Sequence, residues 1–300
     1  MVNQIMISFL LMLVGMICYK CKIISNKTNE ELTNFVLTVA NPALIINSYQ
    51  IEYSSALVHN ILISFGLSVL THAIMIGISS VVIGKKQSEW SIERFSLIYS
   101  NCGFIGIPLV QSMFGAEGVI YVTSYITVFN LLVWTQGVRM FAGAKKEENV
   151  IKTIVTTPAL IAVFIGLILF GIRIQLPVVV SSTIEHLGNL NTPLAMVAAG
   201  VSVMQADIGK ALKNIRNYYL CFWRLLCLPL ICYVVIRFLP VEDIVLQTIL
   251  LAAACPTGTT GIMFAIKYKK NDAYASGIVA MTTVLSLITL PLVFYCCTKF

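Results

Sequence analysis

Two stretches of the chain place helix-breaking residues beside small polar ones in apolar surroundings. The first holds Asn101, Gly103, Gly106 and Pro108, and the second holds Pro256, Thr257, Gly258, Thr259, Thr260 and Gly261. Proline removes a backbone donor and glycine weakens a helix, so each stretch predicts an interrupted helix. An interruption offers the positive, N–H-bearing start of a half-helix next to free carbonyls. The Asn101 amide and the hydroxyls of Thr257, Thr259 and Thr260 add uncharged donors. Such a site binds an anion, and its carbonyls and hydroxyls also suit a sodium ion. Two plain packing kinks are the competing reading, because glycine and proline are frequent in membrane helices. Recurrence at matched positions in the two halves favours a site. Arg224 is the one formal charge deep in an apolar run, eight residues after Arg216 and so about 12 Å further along a helix. Its charge must be met by carbonyls, by water, by snorkelling to the interface, or by an anionic ligand that it helps to bind.

The elements that would carry these residues follow from composition. Of 300 residues, 58% are apolar and 11% are charged, against roughly 25% charged in a globular domain. The charges cluster, leaving uncharged windows at 1–19, 32–51, 53–84, 95–116, 118–138, 153–172, 186–206, 244–266 and 273–298. A tenth apolar run, 217–236, contains Arg224. Each is long enough to cross a hydrocarbon core of about 30 Å as a helix, and none shows the alternating polarity of a barrel strand. The expected fold class is therefore all-α, a polytopic membrane protein of ten transmembrane helices whose fourth and ninth members are broken. The first run lacks a positive N-terminal flank and is read as a retained span.

A net charge of +7 raises the question of nucleic acid, which the positions of the basic residues answer. Sixteen of the 20 Lys and Arg, among them Lys20, Lys85, Lys146, Lys213 and Lys270, fall in alternate connections on one side. Short cytoplasmic loops retain Lys and Arg, so that side is cytoplasmic, both termini are extracytoplasmic, and no nucleic-acid partner is expected. The expected setting is the cell membrane, with the lipid bilayer as solvent. The Asn26-Lys27-Thr28 sequon then lies on the cytoplasmic side, unmodified.

The polar connection 143–149 divides the chain into 1–142 and 150–300, and the halves resemble one another. Leu13 to Ile17 and Lys22-Ile23 match Phe164 to Ile168 and Arg173-Ile174, 151 residues on, and Pro42 matches Pro193 at the same spacing. Asn101 to Gly115 matches the region from Cys255 to Lys269. One repeat is five runs, an odd number, so the second copy enters the membrane from the opposite side. Inverted repeats of this kind, with broken helices at matched positions, are a transporter signature. Asn41, Pro42, Thr192 and Pro193 are expected as secondary, cavity-lining positions.

Nine cysteines lie in or beside apolar runs with no paired framework, so neither disulfides nor a metal is expected, and no cofactor. The chain has no membrane aspartate pair, no HExxH and no GxSxG, so no enzyme is expected. Glu117, Glu185 and Asp272 sit at the edges of runs, and His59 and His72 in the third run are read as packing residues.

Residues Asn101 to Leu109 (NCGFIGIPL), Ala254 to Gly258 (ACPTG), Asn41 to Leu44, Thr192 to Ala195, Arg224 to Pro229 and Leu290-Pro291 together resemble the auxin efflux carrier family, which includes bacterial permeases and the plant PIN carriers. The resemblance covers essentially the whole chain. It implies ten helices, with spans 1, 2, 6 and 7 as a scaffold and spans 3–5 and 8–10 as a moving unit whose broken helices cross. It implies that Asn101, Pro108 and Pro256 lie at the crossover and contact substrate, and that members pair as homodimers through the scaffold. Thr257 stands where plant carriers commonly have a longer amide, and the short central connection differs from their long loop, so auxin is not implied. The expected function is a permease moving a small organic anion, a carboxylate by the resemblance, through alternating access. A sodium- or proton-coupled importer of a small solute and a non-transporting membrane sensor are the alternatives.

Overall fold

The computed structural model describes residues 2–142, 156–205 and 208–299. The connection 143–149, with Lys145 and Lys146, and also Lys152, lie outside the described residues. Among those described there is no β-strand, and the fold is all-α.

The first half begins with α1 (Val2–Lys20), then α2 (Asn26–Phe35) leading into α3 (Asn41–Ser48). Next come α4 (Ser55–Val82), α5 (Trp90–Ile98), α6 (Ile107–Leu132) and α7 (Val138–Ala142). The second half has α8 (Pro158–Gly171), α9 (Val178–Asn189), α10 (Asn191–Gln205), α11 (Ile208–Lys213) and α12 (Ile215–Phe222). It closes with α13 (Leu228–Ile236), α14 (Asp243–Ala254), α15 (Thr260–Lys267) and α16 (Asp272–Lys299). Among the described residues, five continuous helical stretches are long and apolar enough to cross a membrane: 55–82, 102–142, 178–205, 215–236 and 272–297.

Helix starts are set by short polar side chains. Ser25, Ser54 and Asn214 accept the N–H groups of Thr28, Leu57 and Arg216 at 3.1, 3.1 and 3.0 Å, meeting donors that have no intrahelical partner. Apolar side chains face outward, as a lipid solvent requires: Leu10, Leu13 and Ile17 on α1 and Phe164 and Ile168 on α8 are exposed. The polar stripe of α4 faces inward, where Ser64 reaches Ser124 at 2.7 Å and Asn60 reaches Tyr121 at 3.3 Å on α6. Helices α1 and α10 meet backbone to backbone. A Cβ on Gly15 would stand 2.0 Å from the Val197 carbonyl oxygen, and one on Gly200 would stand 1.9 Å from that of Met12. Only glycine permits so near an approach.

Prolines are absorbed in a repeated way. Widened π-helical turns at Val36–Ala40, Cys102–Gly106 and Trp223–Cys227 each stand two residues before a proline, Pro42, Pro108 and Pro229. A proline ring collides with the carbonyl four residues back and has no N–H, and a π-turn relieves the collision by moving that carbonyl aside. This corrects the expected position of the first break. Gly103, Gly106 and Pro108 do not interrupt the helix, which runs through them into α6; the break lies earlier, at Tyr99–Asn101. The second break, at Cys255–Thr259, falls where Pro256 and Gly258 predict it. A kink at Gly115, with φ of 62°, separates the α6 segment that follows the first break from the rest of that helix.

Candidate functional site

The two breaks cross as a single antiparallel bridge between Ser100 and Thr257. Asn101 N–H donates to the Pro256 carbonyl at 2.8 Å, and Gly258 N–H donates to the Tyr99 carbonyl at 2.9 Å. Interrupted backbone is tolerated at membrane depth when it is buried in protein, and here each break supplies the other's missing partners. Gly258 has no side chain because a Cβ would lie 3.1 Å from the Ser100 carbonyl oxygen. Thr257 is fully engaged: its hydroxyl donates to the Ser96 carbonyl at 3.0 Å, and its N–H donates to the Thr282 hydroxyl at 3.2 Å.

Behind the crossing lies Arg224, 0% exposed. Its guanidinium donates to the carbonyls of Leu97 at 2.9 Å, Ala253 at 2.7 Å and Cys255 at 2.7 Å, the last also through Nε at 3.2 Å. These carbonyls end α5 and α14. The side chain therefore neither snorkels nor opens to a cavity, and its charge is met by helix C-termini.

In front of the crossing is a cavity of about 240 Å³. Asn101, Phe104 and Ile105 line it from the first break onward, and Thr259 and Ile262 line it from the second. Asn101 and Thr259 are the cap residues of the helical turns that begin there, so two helix starts face one space. Ala199, Ser202, Val203 and Gln205 of α10 form one wall, and Ser276, Val279, Ala280 and Thr283 of α16 another. Among the described residues that line it, none carries a formal charge. Two further cavities, on the face with Lys210 and Arg216, adjoin it in series. The first shares Gln205 and Ser276 with it, and the second shares Asn214, Asn271 and Tyr274 with the first.

Comparison with known proteins decides the affiliation. A family model described as membrane transport protein matches residues 1–154 and again 147–294. The chain belongs to this family, that of the auxin efflux carriers. Similar proteins include an uncharacterized transporter of Methanocaldococcus jannaschii, 22% identical over 97% of this chain and 96% of that one. Another, of Methanothermobacter thermautotrophicus, is 24% identical over 94% and 93%. A Rhizobium meliloti protein named "Putative malonate transporter" is 23% identical over 86% and 83%. The protein is thus a multi-pass membrane protein of a transporter family.

Of the residues singled out in this carrier-family sequence, Asn101 and Thr259 line the cavity. Pro256, Thr257 and Gly258 are buried in the crossing, Pro108 is buried at the start of α6 beyond it, Gly106 is buried against Cys255, and Gly103 and Thr260 are half-buried. Asn41 donates to the Gly103 carbonyl at 3.1 Å, and Thr192 donates to Gln111 Oε1 at 2.9 Å. Both thus tie their own helices to the helix that follows the first break, and Pro42 and Pro193 are half-buried next to them. His72 is buried with Nδ1 2.8 Å from the Ser68 carbonyl oxygen, while His59 is exposed.

Sequence reasoning missed the two outer walls. Ser276, Val279, Ala280 and Thr283 recur at helical spacing, as do Ala199, Ser202 and Val203. A stripe of small and hydroxyl residues in an apolar helix is the signal that finds them. Also missed was Glu93, buried near the start of α5. Its carboxylate takes both arms of Arg216, at 3.0 and 2.8 Å, and the Tyr274 hydroxyl at 3.0 Å.

Proposed function

We propose that the protein carries a small organic anion, of the carboxylate class, across the membrane by alternating access. The observation that carries this is the cavity faced by two helix starts at the crossing, with Asn101 and Thr259 at their caps and only uncharged side chains among its described lining residues. The helix dipole is positive at both starts and their earliest N–H groups lack intrahelical acceptors, so an anion is held without a paired cation. At the second start these are the groups ahead of Gly261, because the Gly261 and Ile262 N–H groups donate to the Gly258 and Thr259 carbonyls at 3.3 and 2.9 Å. A cavity of about 240 Å³ admits a short mono- or dicarboxylate. The malonate in the Rhizobium meliloti relative's name supports the class. For sodium binding, the Pro256 carbonyl already accepts the Asn101 N–H and the Thr257 hydroxyl is turned to the Ser96 carbonyl, so of these candidates Thr259 is the one on the cavity wall.

We infer further that the helices form ten spans in two inverted repeats, 1–142 and 150–300, joined by 143–149. Support comes from the double match of the family model and from the corresponding breaks before α6 and α15. Both termini face outward, as the basic connections require. In this reading α1–α3 and α8–α10 are the scaffold, which pairs two copies through its exposed apolar faces, and the remaining helices move. Asn41–Gly103, Thr192–Gln111 and Tyr49–Thr123 are then bonds across the moving boundary.

The test is counterflow of labelled malonate and related carboxylates in proteoliposomes. Wild-type protein exchanges at least one of them, and Asn101→Ala cuts exchange about tenfold or more while leaving folding intact, because a site residue and not a core residue is removed. Binding without exchange identifies a sensor. Exchange by Asn101→Ala at the wild-type rate removes the site.

A further inference from the structure

A guanidinium that is wholly buried and bonded only to backbone and a thioether demands an account beyond packing. Arg224 Nη1 also approaches Met75 Sδ at 3.7 Å, and among the described residues no carboxylate pairs with it. What it meets are the carbonyl ends of two helices, α5 through Leu97 and α14 through Ala253 and Cys255. The last carbonyls of a helix have no intrahelical donor, and each helix end carries roughly half a negative charge. Two such ends converge on one positive side chain. Its planar fork reaches both, which an ammonium on a single stem does not.

The bonds continue from there to the cavity. Cys255, held by Arg224, precedes Pro256, whose carbonyl accepts the Asn101 N–H, and the Asn101 side chain lines the cavity. At the other break, Leu97 lies two residues before Tyr99, whose carbonyl accepts the Gly258 N–H, and Thr259 follows at the cavity wall. Both cavity-facing caps are therefore tied to the guanidinium through backbone. We infer that Arg224 is the positioning residue of the crossing: it locks the C-terminal ends of the two broken helices together and so fixes the spacing and aim of the two helix starts that face the cavity. It does this without lining the cavity. The inference rests on the carboxylate reading only for its second readout.

The experiment compares full-length wild type, Arg224→Lys and Arg224→Gln in nanodiscs. Hydrogen exchange is followed in peptides spanning 97–106 and 253–262 and, as reference, in α1 and α10, and malonate affinity is measured on the same samples. Arg224→Gln is expected to raise exchange at the crossing about tenfold, equivalent to about 1.4 kcal/mol of local opening, with the reference helices within about twofold. Arg224→Lys, which keeps the charge and loses the fork, is expected to fall between, and malonate affinity to decline in the same order. Where Arg224→Gln fails to fold, Arg224→Lys carries the test by the same local increase. Wild-type exchange at the crossing in both variants overturns the inference, as does loosening spread evenly over all helices. Weakened malonate binding with an unaltered crossing also overturns it, since Arg224 would then act on the ligand directly. Absence of malonate binding in the wild type sinks only the substrate class, because the exchange readout does not depend on it.

Discussion

Adding one methyl to Gly200 tests the packing on which the scaffold reading stands. The new Cβ would stand 1.9 Å from the Met12 carbonyl oxygen, where ordinary contact needs about 3.4 Å, so α1 and α10 must part by about 1 Å or more. Neither carbonyl is a flexible side-chain end that swings away. Overpacking of this kind costs about 1–3 kcal/mol, and a radial gap of 0.5–1 Å forfeits a quarter to a half of the dispersion attraction along the seam. At roughly 2–4 °C per kcal/mol, Gly200→Ala lowers the melting temperature by about 2–12 °C. Gly15→Ala, whose Cβ would stand 2.0 Å from the Val197 carbonyl oxygen, should cost a similar amount. The informative variant is the double one. Once the helices have parted for one methyl, the second enters the same gap, so the double change should cost less than the two singles together, by about 0.5 kcal/mol or more. Gly77→Ala, exposed on α4 with nothing within 4 Å of its Cβ, is the control and should stay within about 0.5 kcal/mol. Thermal unfolding in detergent, followed by tryptophan fluorescence, measures all four. Gly200→Ala melting with the control, or strictly additive losses in the double variant, would refute the close crossing.

Glu93→Gln keeps an acceptor for Tyr274 but removes the charge that takes both arms of Arg216. Because the Arg216 side chain is 31% exposed, the loss is screened to about 1–2 kcal/mol, and an unchanged melting temperature at low salt refutes the pairing. Single cysteines placed at Lys86 and Lys270 should react with a membrane-impermeant maleimide only after the membrane is permeabilised, while one at Glu52 reacts in intact cells; the reverse pattern rejects outward-facing termini. Native mass spectrometry of the 33.0 kDa chain should find about twice that mass, and a monomer alone rejects pairing through the scaffold.

Much of this was legible because membrane physics acts on short stretches of sequence. Apolar runs and capping serines mark helices locally, and Pro256 with Gly258 marks a break because neither sustains a helix. Pro108 misled, since whether a proline breaks a helix or is absorbed by a widened turn depends on the carbonyls four and five residues back. The depth of Arg224 was readable by counting residues; its partners were not, because Leu97 and Cys255 lie far away in sequence and converge only when the two breaks cross. Glu93 lies just outside an uncharged window, and nothing in its immediate sequence singles it out. Only the folded chain brings Arg216 and Tyr274 to it, at sequence distances of 123 and 181 residues. Ser202 and Ser276 carried a helical-stripe signal that was weak beside the glycines and prolines.

The widened turns before Pro42, Pro108 and Pro229 also set angular phase. Each accommodates one residue more than an α-helical turn would, which rotates everything downstream by about 100° relative to an uninterrupted helix. In the stretch 215–236, the face ahead of the turn buries Asn217, Leu220 and Cys221, and the face after it buries Leu228, Cys232 and Tyr233, with Arg224 inside the turn itself. Deleting a single residue there would straighten the helix locally yet swing one of those faces into lipid. The tolerated unit of length change in these helices is thus not one residue, and substitutions, which keep the phase, are far better borne than indels of the same size.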